Sequence, residues 1–203
     1  VSLHADAVAT LGSWTPGQPG QDELRRRFLD HLAAHPDGLS RDCFPAHVTA
    51  GVLVLSPDLD RVLLTLHRKA RRWFHFGGHC EAGDRTLRGA ALREGLEESG
   101  LPELALDPRP VHLDEHAVPF CDPRGEVRHL DVRFTALAPE GAAHATSEES
   151  LDVRWWPVDA LPDGVEDEMR DLVRRSRERW AAQSTSPSLS GGSTSAAADQ
   201  PSR

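Results

Sequence analysis

No tyrosine occurs in this chain, and tryptophan and phenylalanine bring the aromatic content to only 5%. Long apolar runs are missing as well. The longest, Gly51 to Leu55, falls far short of the roughly 20 residues that span a bilayer, so no membrane helix is expected. Cysteine is scarce: Cys43, Cys80 and Cys121 are widely spaced and form no C-x-x-C pair. That pattern implies neither a disulfide framework nor a zinc site. It suits a reducing, cytoplasmic setting, as does the lack of a charged-then-apolar opening segment. Basic charge is in deficit, with 23 Lys and Arg against 32 Asp and Glu and a formal net charge of −9. Such a surface argues against a nucleic-acid backbone or an anionic membrane as partner. A phosphorylated small molecule stays compatible with it if a metal ion and local arginines invert the field.

What is present is concentrated in one stretch. Gly77-Gly78-His79-Cys80-Glu81-Ala82-Gly83-Asp84 runs on into Arg93-Glu94-Gly95-Leu96-Glu97-Glu98-Ser99-Gly100-Leu101. Asp84 or Thr86 is placed to cap a helix, and Gly100 to end it in the left-handed conformation. Between them, Leu87 to Glu98 makes about three turns. Glu94, Glu97 and Glu98 then stand at i, i+3 and i+4, and Glu94 and Glu98 continue the stripe begun by Leu87, Ala90 and Ala91. Like charges at that spacing cost ~0.2–0.5 kcal/mol. Anions at a helix C-terminus oppose the macrodipole for another ~0.3–1 kcal/mol. The arrangement is unfavourable for stability alone and suited to a hard divalent cation, which takes oxygen ligands.

These residues resemble the signature of the Nudix hydrolases. Gly78, Asp84, Arg93, Glu94, Glu97, Glu98, Gly100 and Leu101 match it in order. Three departures stand out: Asp84 replaces the usual glutamate, the spacer from Asp84 to Arg93 is one residue longer, and Gly95 replaces a bulky aliphatic. Gly95 weakens the helix by about 0.5–1 kcal/mol relative to alanine and points to close packing. The resemblance implies an α+β fold, the Nudix α/β/α sandwich with a mixed sheet. It also implies Mg²⁺, with Mn²⁺ as a substitute, held by Glu94, Glu97, Glu98 and the Gly78 carbonyl. Arg93 would orient a glutamate, and Glu97 or a loop acid would activate the attacking water.

Around that stretch the sequence divides at 1–42, 43–182 and 183–203. Residues 1–20 show no sustained period and read as a loose arm. Leu24, Phe28, Leu29 and Leu32 mark an amphipathic helix from Gln21 to His35, which either packs on the domain edge or makes a homodimer contact. Strands are expected at His47–Ser56 and Arg61–Arg68, forming a hairpin, at Trp73–Phe76, at Val111–Val118 and His129–Ala138 with a bridge over Pro119–Arg128, and at Leu151–Trp156. A last amphipathic helix covers Val165–Ala182, and Gln183–Arg203 is a Ser/Thr/Gly/Ala/Pro tail without apolar anchors, expected to be disordered.

Further candidates each have a plainer structural reading. Glu115, Glu148 and Glu149 are candidate general bases, although the last two also read as a surface pair. Arg68, Lys69, Arg71 and Arg72 form either a substrate-guiding collar or a solvated turn. Trp73 with Phe74, or Trp155 with Trp156, offer stacking faces or core. His112, His116 and His129 read as polar edge residues in preference to metal ligands, and Cys80 as a small filler. The function that follows is Mg²⁺-dependent hydrolysis of a phosphoanhydride in a nucleoside diphosphate linked to another moiety. A nucleotide-sensing module and an isoprenoid diphosphate isomerase are the alternatives.

Overall fold

A computed structural model describes residues 1–148 and 150–185. Its elements in chain order are α1 (Leu3–Ser13), α2 (Pro19–Ala34), β1 (Ala46–Leu55), β2 (Arg61–His67), β3 (Trp73–Phe74), β4 (Phe76–His79), α3 (Leu87–Ser99), β5 (Ala105–Leu106), β6 (His112–Asp122), β7 (Gly125–Leu137), β8 (Ser150–Pro157) and α4 (Asp167–Ser184).

β1 is the spine of the sheet because nine of its ten residues are buried. One of its edges runs parallel to β7 along its whole length, from Ala46↔Arg128 to Leu55↔Leu137. The other edge is shared: Thr49–Val52 pair antiparallel with β4, and Val54–Leu55 with β2. β8 and β3 extend the sheet beyond β2, while β6 and β5 pair with β7. One parallel pair among antiparallel ones makes the sheet mixed.

Strand alternation splits the core into two layers. Val48, Ala50, Val52 and Val54 of β1 join Val132 and Phe134 of β7 against Leu87, Ala90 and Ala91 of α3 and Phe28 and Leu32 of α2. Leu53 and Leu55 point the other way, with Val62 and Leu64, to meet Met169, Leu172 and Val173 of α4. Helices therefore cover both faces, which is the α/β/α sandwich.

Two expectations are corrected. The opening residues are not a loose arm: Ser2 Oγ accepts a hydrogen bond from Ala5 N (3.2 Å), and α1 buries Ala7 and Leu11 on the α2–α3 side. Its stripe is carried largely by alanine, so the apolar period is faint. The bridge over Pro119–Arg128 is mostly strand, with β6 reaching Asp122 and β7 starting at Gly125. Pro119 is accommodated because the β6–β7 register is interrupted between Val118 and Asp122. The tail from 186 onward lies outside the described residues, as does Glu149.

Candidate active site

β4 ends in the glycine turn and α3 leaves it, so turn and helix are built against each other. Thr86, not Asp84, caps α3, its hydroxyl accepting from Gly89 N at 2.9 Å. A second cap comes from far away in sequence. Asp6 of α1 accepts from Leu87 N at 2.9 Å, which places a carboxylate at the positive end of the helix. At the other end Gly100 has φ 66°, the left-handed geometry that glycine adopts without strain.

The buried face of α3 consists of Leu87, Ala90, Ala91, Gly95 and Ser99. A Cβ on Gly95 would lie 2.6 Å from Val52 Cγ1, so the helix sits directly on β1 where a larger residue has no room. That close seat brings the acidic end of the helix onto the glycine turn. Gly77 N donates to Glu98 Oε2 at 3.1 Å. A Cβ on Gly78 would fall 2.8 Å from Glu94 Oε1, so the backbone of the turn touches that carboxylate directly.

Arg93 ties the pieces together. Its guanidinium donates to Asp84 through Nε (3.2 Å) and Nη2 (3.0 Å), to the His79 carbonyl (3.0 Å), to Glu94 Oε1 (2.9 Å) and to Glu97 Oε2 (3.2 Å). Glu81 stands 3.7 Å from the same group. These hydrogen bonds, that of Asp84 first, raise the Arg93 pKa and keep it charged. Burial acts to raise the Asp84 carboxyl, but Arg93 and the Glu81 amide outweigh it and hold it below its usual value. Asp84 also accepts from Glu81 N at 2.8 Å, closing the turn.

The three glutamates differ in exposure. The Glu94 side chain is 14% exposed and faces the turn, whereas that of Glu97 is 61% exposed on the outer flank. Four carboxylates (Glu81, Asp84, Glu94 and Glu97) thus gather around one guanidinium, and a fifth, Glu98, is held on the Gly77 amide. Hard oxygen donors with excess negative charge, on a backbone that leaves no Cβ in the way, fit a divalent cation such as Mg²⁺.

The other candidates separate from this site. Glu115 is held by Arg27 and Arg128, both at 2.5 Å, and is a structural ion-pair centre. Glu148 is exposed, and it is its carbonyl that Arg68 Nε binds at 2.9 Å. Arg72 pairs with Glu166 at 2.6 Å, so the basic collar is partly committed to holding loops. Trp73 and Trp156 meet edge to face at 5.3 Å beside the α4 layer, and Trp155 packs on the opposite one. Burial pushes the Cys80 thiol up to about 12, as befits a filler. Two open clefts border α4, one beside Arg109, Arg175 and Arg179, the other beside Leu59, Leu161 and Arg170; neither is lined by the glycine turn.

Of His112, His116 and His129, only the last two come together, as a cross-strand pair of β6 and β7 with ring centroids 5.6 Å apart. His112 turns to Asp171 of α4 (3.7 Å), His116 binds Asp114 (2.7 Å), and His129 groups with His47, His79 and Cys121. Behind the turn, buried Asp131 accepts from Thr49 (3.0 Å) and Arg133 (2.8 Å) and meets His75 at 3.2 Å. Nothing in the sequence singled out that network except alternating charge within a buried strand.

The NUDIX domain family model matches residues 45–176. The chain belongs to that family. It is accordingly a pyrophosphohydrolase of the Nudix type. Solved structures agree on the fold. An Ap4A hydrolase from C. elegans is 19% identical, with TM-score 0.52, over 66% of this chain and 98% of that one. The E. coli dihydroneopterin triphosphate pyrophosphohydrolase is 21% identical, with TM-score 0.50, over 67% and 95%. The NUDIX domain of Shewanella oneidensis NrtR, complexed with ADP ribose, is 20% identical, with TM-score 0.50, over 74% and 97%. No curated protein sequence matches significantly. Among the described residues, no helix is long and apolar enough to cross a membrane.

Proposed function

We propose that this Nudix protein hydrolyses a phosphoanhydride bond in a nucleoside diphosphate linked to another moiety, using Mg²⁺ held by Glu94, Glu97, Glu98 and the Gly78 carbonyl. The observation that carries the reading is the approach of Glu94 and Glu98 to one glycine turn, across 3.1 Å from Glu98 to Gly77 N and without space for a Cβ between Glu94 and Gly78. When bound, the cation supplies charge neutralisation at the phosphate oxygens and acidifies a coordinated water.

The chain's own residues do the rest. Arg93 fixes the Glu94 carboxylate and, through Asp84 and the His79 carbonyl, locks helix to turn. Such preorganisation matters because no reorganisation is then needed as charge develops. Glu98 is oriented by the Gly77 amide. Glu97, well exposed on the outer flank, is the group we assign to take the proton of the attacking water; its hydrogen bond to Arg93 orients the carboxylate.

The retained carboxylates favour turnover over sensing. The test is a panel of ADP-ribose, diadenosine tetraphosphate, dihydroneopterin triphosphate and nucleotide sugars, assayed for phosphate or monophosphate release with Mg²⁺, Mn²⁺ or chelator. Metal-dependent cleavage that is lost in Glu98→Gln supports the proposal. Binding without cleavage of any of them under metal would replace it with the sensing alternative.

A further inference from the structure

On the opposite face of the sheet from α3, four side chains with soft or borderline donor atoms meet. His47 opens β1, His79 closes β4, Cys121 lies near the end of β6 and His129 is in β7. Pairing explains the convergence: His47 sits opposite His129, and Thr49, two residues along β1, sits opposite His79. Gly78 faces α3, so the next residue, His79, points to the other side. Cys121 falls in the interruption between Val118 and Asp122, where β6 carries three residues against one of β7. A bulge of that kind frees a side chain from strict alternation and re-aims it.

We propose that His47, His79, Cys121 and His129 form a structural zinc site, separate from the carboxylate site on α3 and independent of the function proposed for it. The four ligand atoms all lie within 4.8 Å of one another. Cys121 Sγ is 3.4 Å from His79 Nε2 and 3.3 Å from His129 Nε2. Zinc bonds of ~2.3 Å to sulfur and ~2.0–2.1 Å to nitrogen, at the tetrahedral angle, give an S···N edge of about 3.6 Å. The two S···N edges are thus within a few tenths of an ångström of those of a coordination tetrahedron.

A second observation points to the same ligand. His47 is fully buried, and its Nδ1 donates to the Cys43 carbonyl at 3.1 Å, which leaves Nε2 as a bare acceptor. That Nε2 is buried and has no hydrogen-bond partner. A carbonyl on one ring nitrogen with the metal on the other is the usual way a ligating histidine is oriented. An unmet buried acceptor otherwise carries a penalty of about 1–3 kcal/mol. Imidazole and thiolate select zinc over Mg²⁺, which prefers oxygen. As the S–Zn bond forms, the Cys121 thiol releases its proton to solvent. Four protein ligands complete a tetrahedron, so the site clips β1, β4, β6 and β7 together and leaves no open position for substrate. The clip reaches the active site through the His79 carbonyl that Arg93 binds.

The experiment is metal analysis of the full chain, followed by Co²⁺ loading of chelator-treated protein. Expected are one tightly held Zn²⁺ per chain, and with Co²⁺ the visible bands of a tetrahedral centre plus a thiolate-to-cobalt charge-transfer band. Cys121→Ser removes the charge-transfer band, and His129→Ala lowers Zn²⁺ to background. Glu98→Gln, which alters only the carboxylate site, keeps the cobalt spectrum. Cys121→Ser is nearly isosteric at a half-buried position, and its fold is checked by circular dichroism, so the test does not depend on the alanine variant folding. Folded wild-type protein that takes up neither Zn²⁺ nor Co²⁺ at micromolar concentration overturns the site, as does a cobalt spectrum unchanged in Cys121→Ser.

Discussion

Replacing Gly78 with alanine separates folding from metal binding. The new Cβ would lie 2.8 Å from Glu94 Oε1, 3.0 Å from its carboxyl carbon and 3.1 Å from Oε2. Those atoms are the far end of a side chain, so the carboxylate gives way and the backbone does not. Restoring ordinary contact moves it by roughly half an ångström, about a quarter of a Mg–O bond of ~2.0–2.1 Å. Misplacement of a catalytic group by 1 Å costs about 10²-fold, so a loss of about 10- to 100-fold in kcat/KM is expected. Stability should hold, because Gly→Ala at an unstrained position is neutral or stabilising by about 0.4–1 kcal/mol. Gly77→Ala is the contrast: φ is 156°, and its Cβ would lie 2.6 Å from Gly51 Cα, so the sheet itself must shift. The assay pairs thermal unfolding with Mn²⁺ titration and turnover of whichever substrate the panel identifies. Full Mn²⁺ affinity and full activity in a folded Gly78→Ala protein would refute the reasoning.

Glu98→Gln keeps the Gly77 contact but removes a charge, and turnover should fall by at least about 10²-fold, since charge stabilisation of a few kcal/mol is lost at ~1.36 kcal/mol per decade; activity within about twofold of wild type contradicts this. Asp6→Ala removes the long-range cap of α3 and should destabilise by about 1 kcal/mol, a fall of ~2–4 °C in Tm at this size, with Asp6→Asn recovering part of it. Gly95→Ala sets a helix-propensity gain of ~0.5–1 kcal/mol against overpacking of ~1–3 kcal/mol on Val52; net destabilisation is expected in urea melts. His112 tests pH dependence: burial, then Arg133 and Arg175, push its pKa down from 6.5 to about 4. The folded pKa lies below the unfolded one, so the unfolded chain binds the extra proton, and stability is full above 6.5 and lost as pH falls toward 4. The loss approaches about 3 kcal/mol, and His112→Gln should flatten that part of the curve relative to wild type.

The helix, its glycine stop and the clustering of its acids were legible in sequence because each depends on neighbours within one or two turns. Thr86, Arg93, Glu94, Glu98 and Gly100 stand in one short segment, and local spacing defines their geometry. β1, β2 and α4 were legible for the same reason, through apolar periods. What escaped was non-local. The Asp6 cap joins residues 81 apart in sequence, and α1 hid behind alanines that carry little apolar contrast. The histidine–cysteine cluster draws on four strands, so its ligands have no motif spacing. His129 does pair with His116 across β6 and β7, but the parallel β1–β7 pairing also puts it beside His47, which is far from it in sequence, while His112 turns to Asp171. Cys121 was invisible because only an interrupted register turns it toward the histidines.

The most direct test of the carboxylate site is an anomalous difference map from crystals grown with Mn²⁺. The expected result is a peak at direct-coordination distance from Glu94 and Glu98 beside Gly78, absent in Glu98→Gln. A manganese peak confined to other sites, with Glu94 and Glu98 holding their metal-free positions, would contradict the assignment of this helix as a cation holder.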